Sequence, residues 1–139
     1  MHHDKTWLTA ILVVSMTCTM HGQEKQRKAE PAGPPRPPPG VKALRDLAYV
    51  PGGHERQKLD LYLPEQPAGP LPLVVWIHAG GGTSGSKERT RALYLTTQGY
   101  AVASINHRLL QHAMFPAQIH DAKAALRWTR ANASRPLRP

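Results

Sequence analysis

Cysteine is almost absent from this sequence. The single residue, Cys18, lies in the first two dozen positions, which excludes a disulfide scaffold or a Cys-based metal site in the rest of the chain. Long apolar runs are missing too: none approaches the roughly 18–20 residues a bilayer span needs. Acidic residues are scarce, with 9 Asp+Glu against 18 Lys+Arg and a formal charge of +9. Such an excess invites an anionic partner, but it is scattered. Lys25, Arg27 and Lys28 lie near the start, and Arg127, Arg130, Arg135 and Arg138 near the end. Aromatic residues are only 6% and do not interleave with these charges, so no nucleic-acid platform is expected. Affinity for an anionic wall polymer stays open.

The 139 residues allow about one domain. The beginning of the chain narrows this further. Lys5, the apolar run Trp7–Val14 and the small-polar stretch Ser15–Gly22 have the layout of a secretory signal peptide over residues 1–22. Residues 23–40 hold six prolines between Pro31 and Pro39, a composition that favours extended polyproline II and a stiff spacer. Export to the cell exterior, periplasm or envelope is the expectation. Residues 41–139 read as the folded portion.

Within that portion, Leu47–Val50 and Lys58–Leu63 read as strands around a Pro51-Gly52-Gly53 turn. The continuous apolar run Leu73–Ile77 predicts a strand buried on both faces. A helix is expected over Arg89–Gln98, closed by Gly99, then a strand over Ala101–Asn106. Pro116 opens a second helix through Ala131, with Ile119, Ala122, Leu126 and Trp128 as its apolar stripe. This order argues for an α/β sheet. Trp76 and Trp128 are expected in the core, and Arg108 is expected to pair with Asp121. His54, His112 and His120 lack metal-ligand spacing and read as surface residues.

The chemistry converges on His78-Ala79-Gly80-Gly81-Gly82-Thr83-Ser84-Gly85-Ser86-Lys87, where a strand gives way to a helix. Glycines there let the backbone approach a ligand closely. Three machines use such a turn. A P-loop needs lysine directly after its last glycine, but Ser86 stands there and Lys87 comes one residue late. A dinucleotide fingerprint is satisfied formally by Gly80, Gly82 and Gly85, yet Asn106 replaces the ribose-binding acid about 20 residues on. Arg108 could face a 2′-phosphate, which keeps an NADP-dependent reductase as a third function. The remaining machine is an oxyanion loop.

Here the sequence resembles the α/β-hydrolase superfamily, in its hormone-sensitive-lipase-like and bacterial acetylesterase branch. The resembling segments are Lys58–Leu63 (KLDLYL), Leu73–Lys87, Gly99–Leu109 (GYAVASINHRL) and Phe115–Arg130, and they span most of residues 44–133. The resemblance implies a serine carboxylic-ester hydrolase acting on a small ester, with no cofactor and no metal. It implies that Gly80 and Gly81 donate their N–H groups to the oxyanion, and that His78 orients the loop by hydrogen bonding. Two positions depart from the family pattern. Ala79 stands at the first glycine of its His-Gly-Gly-Gly motif, tolerable if its φ is negative, and His107 replaces the usual tyrosine.

The family's nucleophile elbow, G-x-S-x-G, has no counterpart among Ser15, Ser84, Ser86, Ser104 and Ser134. Gly81-Gly82-Thr83-Ser84-Gly85 imitates its spacing, but no His follows Asp121, so no triad can be ordered. The reading is a partial α/β-hydrolase sheet: antiparallel N-terminal strands, then βαβα around a glycine-rich oxyanion loop, incomplete at the C-terminus. The sheet is expected to stay open beyond Ala101–Asn106. The competing function is a non-catalytic exported pseudo-hydrolase that binds a partner or an anionic wall polymer. Oligomeric state is not legible.

Overall fold

The computed structural model describes residues 33–133. The expected signal peptide over residues 1–22, residues 23–32 of the expected spacer and residues 134–139 lie outside that range. Four strands, β1 (Val41–Ala48), β2 (Lys58–Pro64), β3 (Leu73–Ile77) and β4 (Ala101–Ile105), form one sheet, followed by helix α1 (Ala117–Asn132). The sheet order is β1-β2-β4-β3. β2 pairs antiparallel with both β1 and β4, while β3 and β4 run parallel. The architecture is α/β, as the alternation of strand and helix patterns implied.

The first strand begins earlier than its pattern suggested, at Val41 rather than Leu47. A bulge explains the shift. The β1–β2 register slips between Leu44 and Leu47, where Asp46 adopts a left-handed φ of 55°, so alternation breaks mid-strand. The Asp46 N–H leaves the ladder and donates to Asp60 Oδ1 at 2.9 Å.

Two further expectations change. β4 is not the open edge: it is paired on both sides, and all five of its residues are buried. The edge falls to β3, whose only partner among the described residues is β4. For that reason β3 is not buried on both faces, and Ile77 is 51% exposed. The anticipated helix over Arg89–Gln98 is instead two 3₁₀ turns, Lys87–Arg89 and Leu93–Gln98. Gly99 closes the second in the left-handed conformation, φ 84°, as its cap role requires.

The two faces of the sheet bury different sets, in the two-residue alternation a strand imposes. Leu44, Leu59, Leu61, Ala103 and Ile105 form one core with Ala125 of α1, and Trp128 packs against it. Val41, Tyr62 and Val102 form the other with Ala92, flanked by Trp76, Leu93 and Leu95. The buried line of α1 is Asp121, Ala125 and Thr129, four residues apart, rather than a stripe starting at Ile119, which is largely exposed. The helix is turned so that a carboxylate faces inward.

Candidate active site

The glycine loop begins where β3 ends, beside the end of the parallel strand β4. Gly80, Gly81 and Gly82 take φ of 137°, 59° and 76°, and Gly85 takes 100°. Four such values would strain side-chain-bearing residues. Ala79 has no such φ, since Asp46 is the one non-glycine with positive φ among the described residues, so its methyl group is accommodated. The loop folds onto itself through the Gly80 carbonyl, which accepts from the Thr83 and Ser84 N–H groups at 3.0 and 3.2 Å. Thr83 Oγ1 adds a third donor at 3.1 Å, which commits that hydroxyl locally. Among the described residues no hydrogen bond uses the N–H of Gly80, Gly81 or Gly82. Three consecutive donors are therefore left for a ligand.

His78 is 7% exposed and lies under this loop. Its Nδ1 meets the Ala79 carbonyl at 3.1 Å and its Nε2 meets Arg56 Nη2 at 3.3 Å. A carbonyl and a guanidinium are satisfied together only by the Nδ1–H tautomer, which donates to one and accepts from the other. Burial pushes the His78 imidazole below the ordinary histidine range, and the neighbouring His107 and Arg56 push the same way against the Ala79 hydrogen bond and Glu88. The His107 ring stacks on it, with centroids 4.6 Å apart and planes at 15°. Gly85 is pressed against the same ring, because a Cβ there would overlap both the Ala79 oxygen and His78 Nδ1.

Arg56 is the residue that sequence reasoning missed. It lies in the β1–β2 connection, and its guanidinium donates to the His107 carbonyl at 2.8 Å and the Gly85 carbonyl at 2.9 Å. One side chain thus ties the glycine loop, β3's exit and β4's exit together. No spacing rule marks it. The partners lie 22, 29 and 51 residues away.

Lys87 was the candidate for a misplaced P-loop lysine, and it turns away from the loop. Its side chain is 4% exposed, and Nζ contacts Asp60 at 2.8 Å, Glu88 at 2.9 Å and Asp46 at 3.0 Å. Burial alone would lower its pKa, but these carboxylates carry it well above the lysine range. Its backbone is held as firmly. The N–H donates to Asn106 Oδ1 and the carbonyl accepts from Ser104 Oγ, each at 2.7 Å. The residue closing the loop is therefore a fixed post.

Arg108 is committed as well. It binds Asp121 through Nε and Nη2 at 3.0 and 2.8 Å, and its backbone N–H reaches Asp121 Oδ2 at 2.9 Å. Burial would raise the Asp121 pKa, yet these bonds and one from Gln57 hold it below the usual carboxylate range. The Arg108 guanidinium is thus occupied by a carboxylate, and no α-helix follows the glycine turn to seat a pyrophosphate. The NADP reading loses both supports.

The segment after β4 lines the loop's other side. The Leu110 N–H donates to the Gly82 carbonyl at 2.8 Å and Gln111 Nε2 to the Thr83 carbonyl at 3.2 Å. Met114 and Phe115 follow on the surface, 85% and 73% exposed. His54 and His112, read as isolated, meet with ring centroids 4.7 Å apart. Each accepts a backbone N–H at Nδ1, which puts the proton of the neutral ring on Nε2. Among the described residues no three His, Cys, Asp or Glu gather as a metal site would require.

A partly antiparallel sheet turning parallel at β4 and β3, with a glycine loop at the parallel strands' carboxyl ends, defines an α/β-hydrolase. Comparison with known proteins narrows this. Residues 59–135 match the BD-FAE family, and the chain belongs to it. Esterase LipC of Mycobacterium tuberculosis is 32% identical over 109 residues, covering 71% of this chain and 27% of LipC. Esterase B from Lactobacillus rhamnosis superposes with a TM-score of 0.62 at 34% identity, over 69% of this chain and 31% of that one. A carbohydrate esterase from gut microbiota, in truncated form, gives 0.62 at 30% identity, over 70% and 36%. The chain spans about a quarter to a third of the length of these esterases.

Proposed function

We propose that this chain supplies the oxyanion site of a carboxylic-ester hydrolase. In that reaction a serine Oγ adds to the ester carbonyl, and the carbonyl oxygen gains the negative charge. The N–H groups of Gly80 and Gly81 would receive it, each such donor being worth about 2.7–4 kcal/mol of transition-state stabilisation. The observation that carries the reading is a run of consecutive N–H groups without internal partners, Gly80 to Gly82, on glycines whose φ leaves the backbone bare; the family resemblance selects Gly80 and Gly81 from that run. The substrate class is a small carboxylic ester. Neutral His78 serves to hold the loop, not to move a proton.

Donors alone do not hydrolyse an ester, because a tetrahedral oxyanion exists only after a nucleophile has attacked. No serine of the sequence stands in G-x-S-x-G. The 139-residue chain is therefore expected to hydrolyse p-nitrophenyl acetate no faster than a control protein of its size. Joined to the remainder of an esterase chain that carries a serine in G-x-S-x-G, it is expected to turn the ester over. Saturable turnover by the chain alone, lost on Thr83→Ala or Ser86→Ala, would overturn the assignment.

We also propose that the protein is exported, on the pattern of Lys5, Trp7–Val14 and the proline-rich stretch after it. N-terminal sequencing of native material is expected to begin between about Cys18 and Glu24, near the end of such a leader. Recovery of an intact Met1 would rule this out.

A further inference from the structure

We propose that Arg56 is the positioning residue of the glycine loop, that it acts through neutral His78, and that a proton on His78 releases the loop. The inference rests on the oxyanion reading only for its consequence in catalysis; the latch itself is independent of any ester.

The geometry gives His78 two obligations. Its Nδ1–H holds the Ala79 carbonyl, the peptide that leads into Gly80, and its Nε2 lone pair accepts from Arg56 Nη2. The same Nη2 donates to the Gly85 carbonyl, at the loop's far end. Arg56 Nε is anchored on His107 and Nη2 also reaches Asn106 Oδ1 at 3.5 Å. One guanidinium therefore closes the loop like a clasp: directly at Gly85, and through the imidazole at Ala79.

Protonation breaks one half of the clasp. An imidazolium has two donors and no acceptor, so its Nε2–H would point at a guanidinium that can only donate. The titratable and charged groups facing His78 are Arg56 from the β1–β2 connection, His107 from beyond β4, and Glu88 from the first 3₁₀ turn. Glu88 is the single anion, and it is engaged by Lys87 Nζ. Stacked on His107 and 7% exposed, the ring offers a new charge little water. The uncharged state is thus the one the packing selects, and the loop's geometry depends on it.

The direction in pH follows from linkage. The folded pKa lies below the ordinary 6.5, so the unfolded chain binds this proton more readily. The contribution of His78 to stability is complete above 6.5 and is lost as pH falls through its lowered pKa. The oxyanion loop should therefore loosen in acid before the sheet does.

The test is a pH titration of the full chain by NMR, following the His78 imidazole and the amides of Gly80, Gly81 and Gly82. All three amides are expected to shift in one step at the His78 midpoint, below 6.5. His78→Asn should abolish that step. Arg56→Gln should move the His78 midpoint upward, because a neighbouring cation is gone. The unsubstituted chain already decides the matter: loop amides that stay flat through the His78 step overturn the latch. A step that persists in His78→Asn, or a midpoint indifferent to Arg56→Gln, overturns it as well. Absence of ester turnover in an extended protein would refute the oxyanion reading and leave these outcomes untouched.

Discussion

Replacing Asp60 by alanine is expected to cost the fold about 3–5 kcal/mol, the usual penalty for removing one partner of a buried ion pair. Asp60 is 0% exposed. Its Oδ1 binds Lys87 Nζ at 2.8 Å and the Asp46 N–H at 2.9 Å. Its Oδ2 receives Arg45 Nη1 at 3.4 Å and the Tyr62 hydroxyl at 3.5 Å. Without the carboxylate, Lys87 keeps only Asp46 and Glu88, whose side chains are 64% and 27% exposed. The bulge amide and the Tyr62 hydroxyl would lose their acceptor on the same face. With total stabilities of about 5–15 kcal/mol, a loss of this size leaves the chain marginal. Urea unfolding measures it. Glu88→Ala removes a partner nearer the solvent and is expected to cost no more than about 1 kcal/mol. Equal effects from the two variants would show that burial does not govern this network. Added salt should leave the Asp60 effect nearly unchanged, since a buried pair is weakly screened.

That network also marks where the sequence stops being readable. β3 was legible as an apolar run of five after Pro72, and β4 as a mostly apolar segment opening just past the Gly99 cap. The glycine loop was legible because four glycines in six positions imply a backbone no other residue tolerates. The Arg108–Asp121 pair followed from placing one at a strand's exit and the other on the next helix. The one-residue register error at Lys87 argued against a phosphate ligand, but its actual partner, Asp60 at 2.8 Å and 27 residues earlier, carried no sequence signal. Arg56 carried no signal at all. A guanidinium that serves three carbonyl or ring acceptors is defined by the fold, not by its neighbours in sequence. The Leu93–Gln98 segment misled through the Gly99 cap that closes it, but it is only six residues long and holds two β-branched threonines, which favour the helix less than Leu does. The edge position of β3 could not be read from its composition, because strand order is set by which strands cross over.

Gly80→Ala is expected to damage the candidate site severely. A Cβ at Gly80 would overlap the Ser84 carbonyl oxygen and lie 2.6 Å from the Ser84 carbonyl carbon, both main-chain atoms, with φ already at 137°. Backbone cannot swing aside as the end of a side chain can, so the turn between Gly80 and Ser84 must open. Opening it breaks the Thr83 and Ser84 N–H bonds to the Gly80 oxygen and turns the Gly80 N–H away from its neighbour at Gly81. In a protein extended to carry the nucleophile, loss of one aligned donor corresponds to about a 10²–10³-fold fall in kcat. KM should change little, because the donors act on charge that develops after binding. Gly40→Ala is the matching control: its φ is 74°, nothing lies near its Cβ, and it precedes β1, outside the loop and the connection that carries Arg56. It should cost about 1–2 kcal/mol of stability for the left-handed backbone and leave kcat intact. A Gly80→Ala protein with unaltered kcat would mean that the oxyanion is held elsewhere, and that the glycine loop serves only to turn the chain.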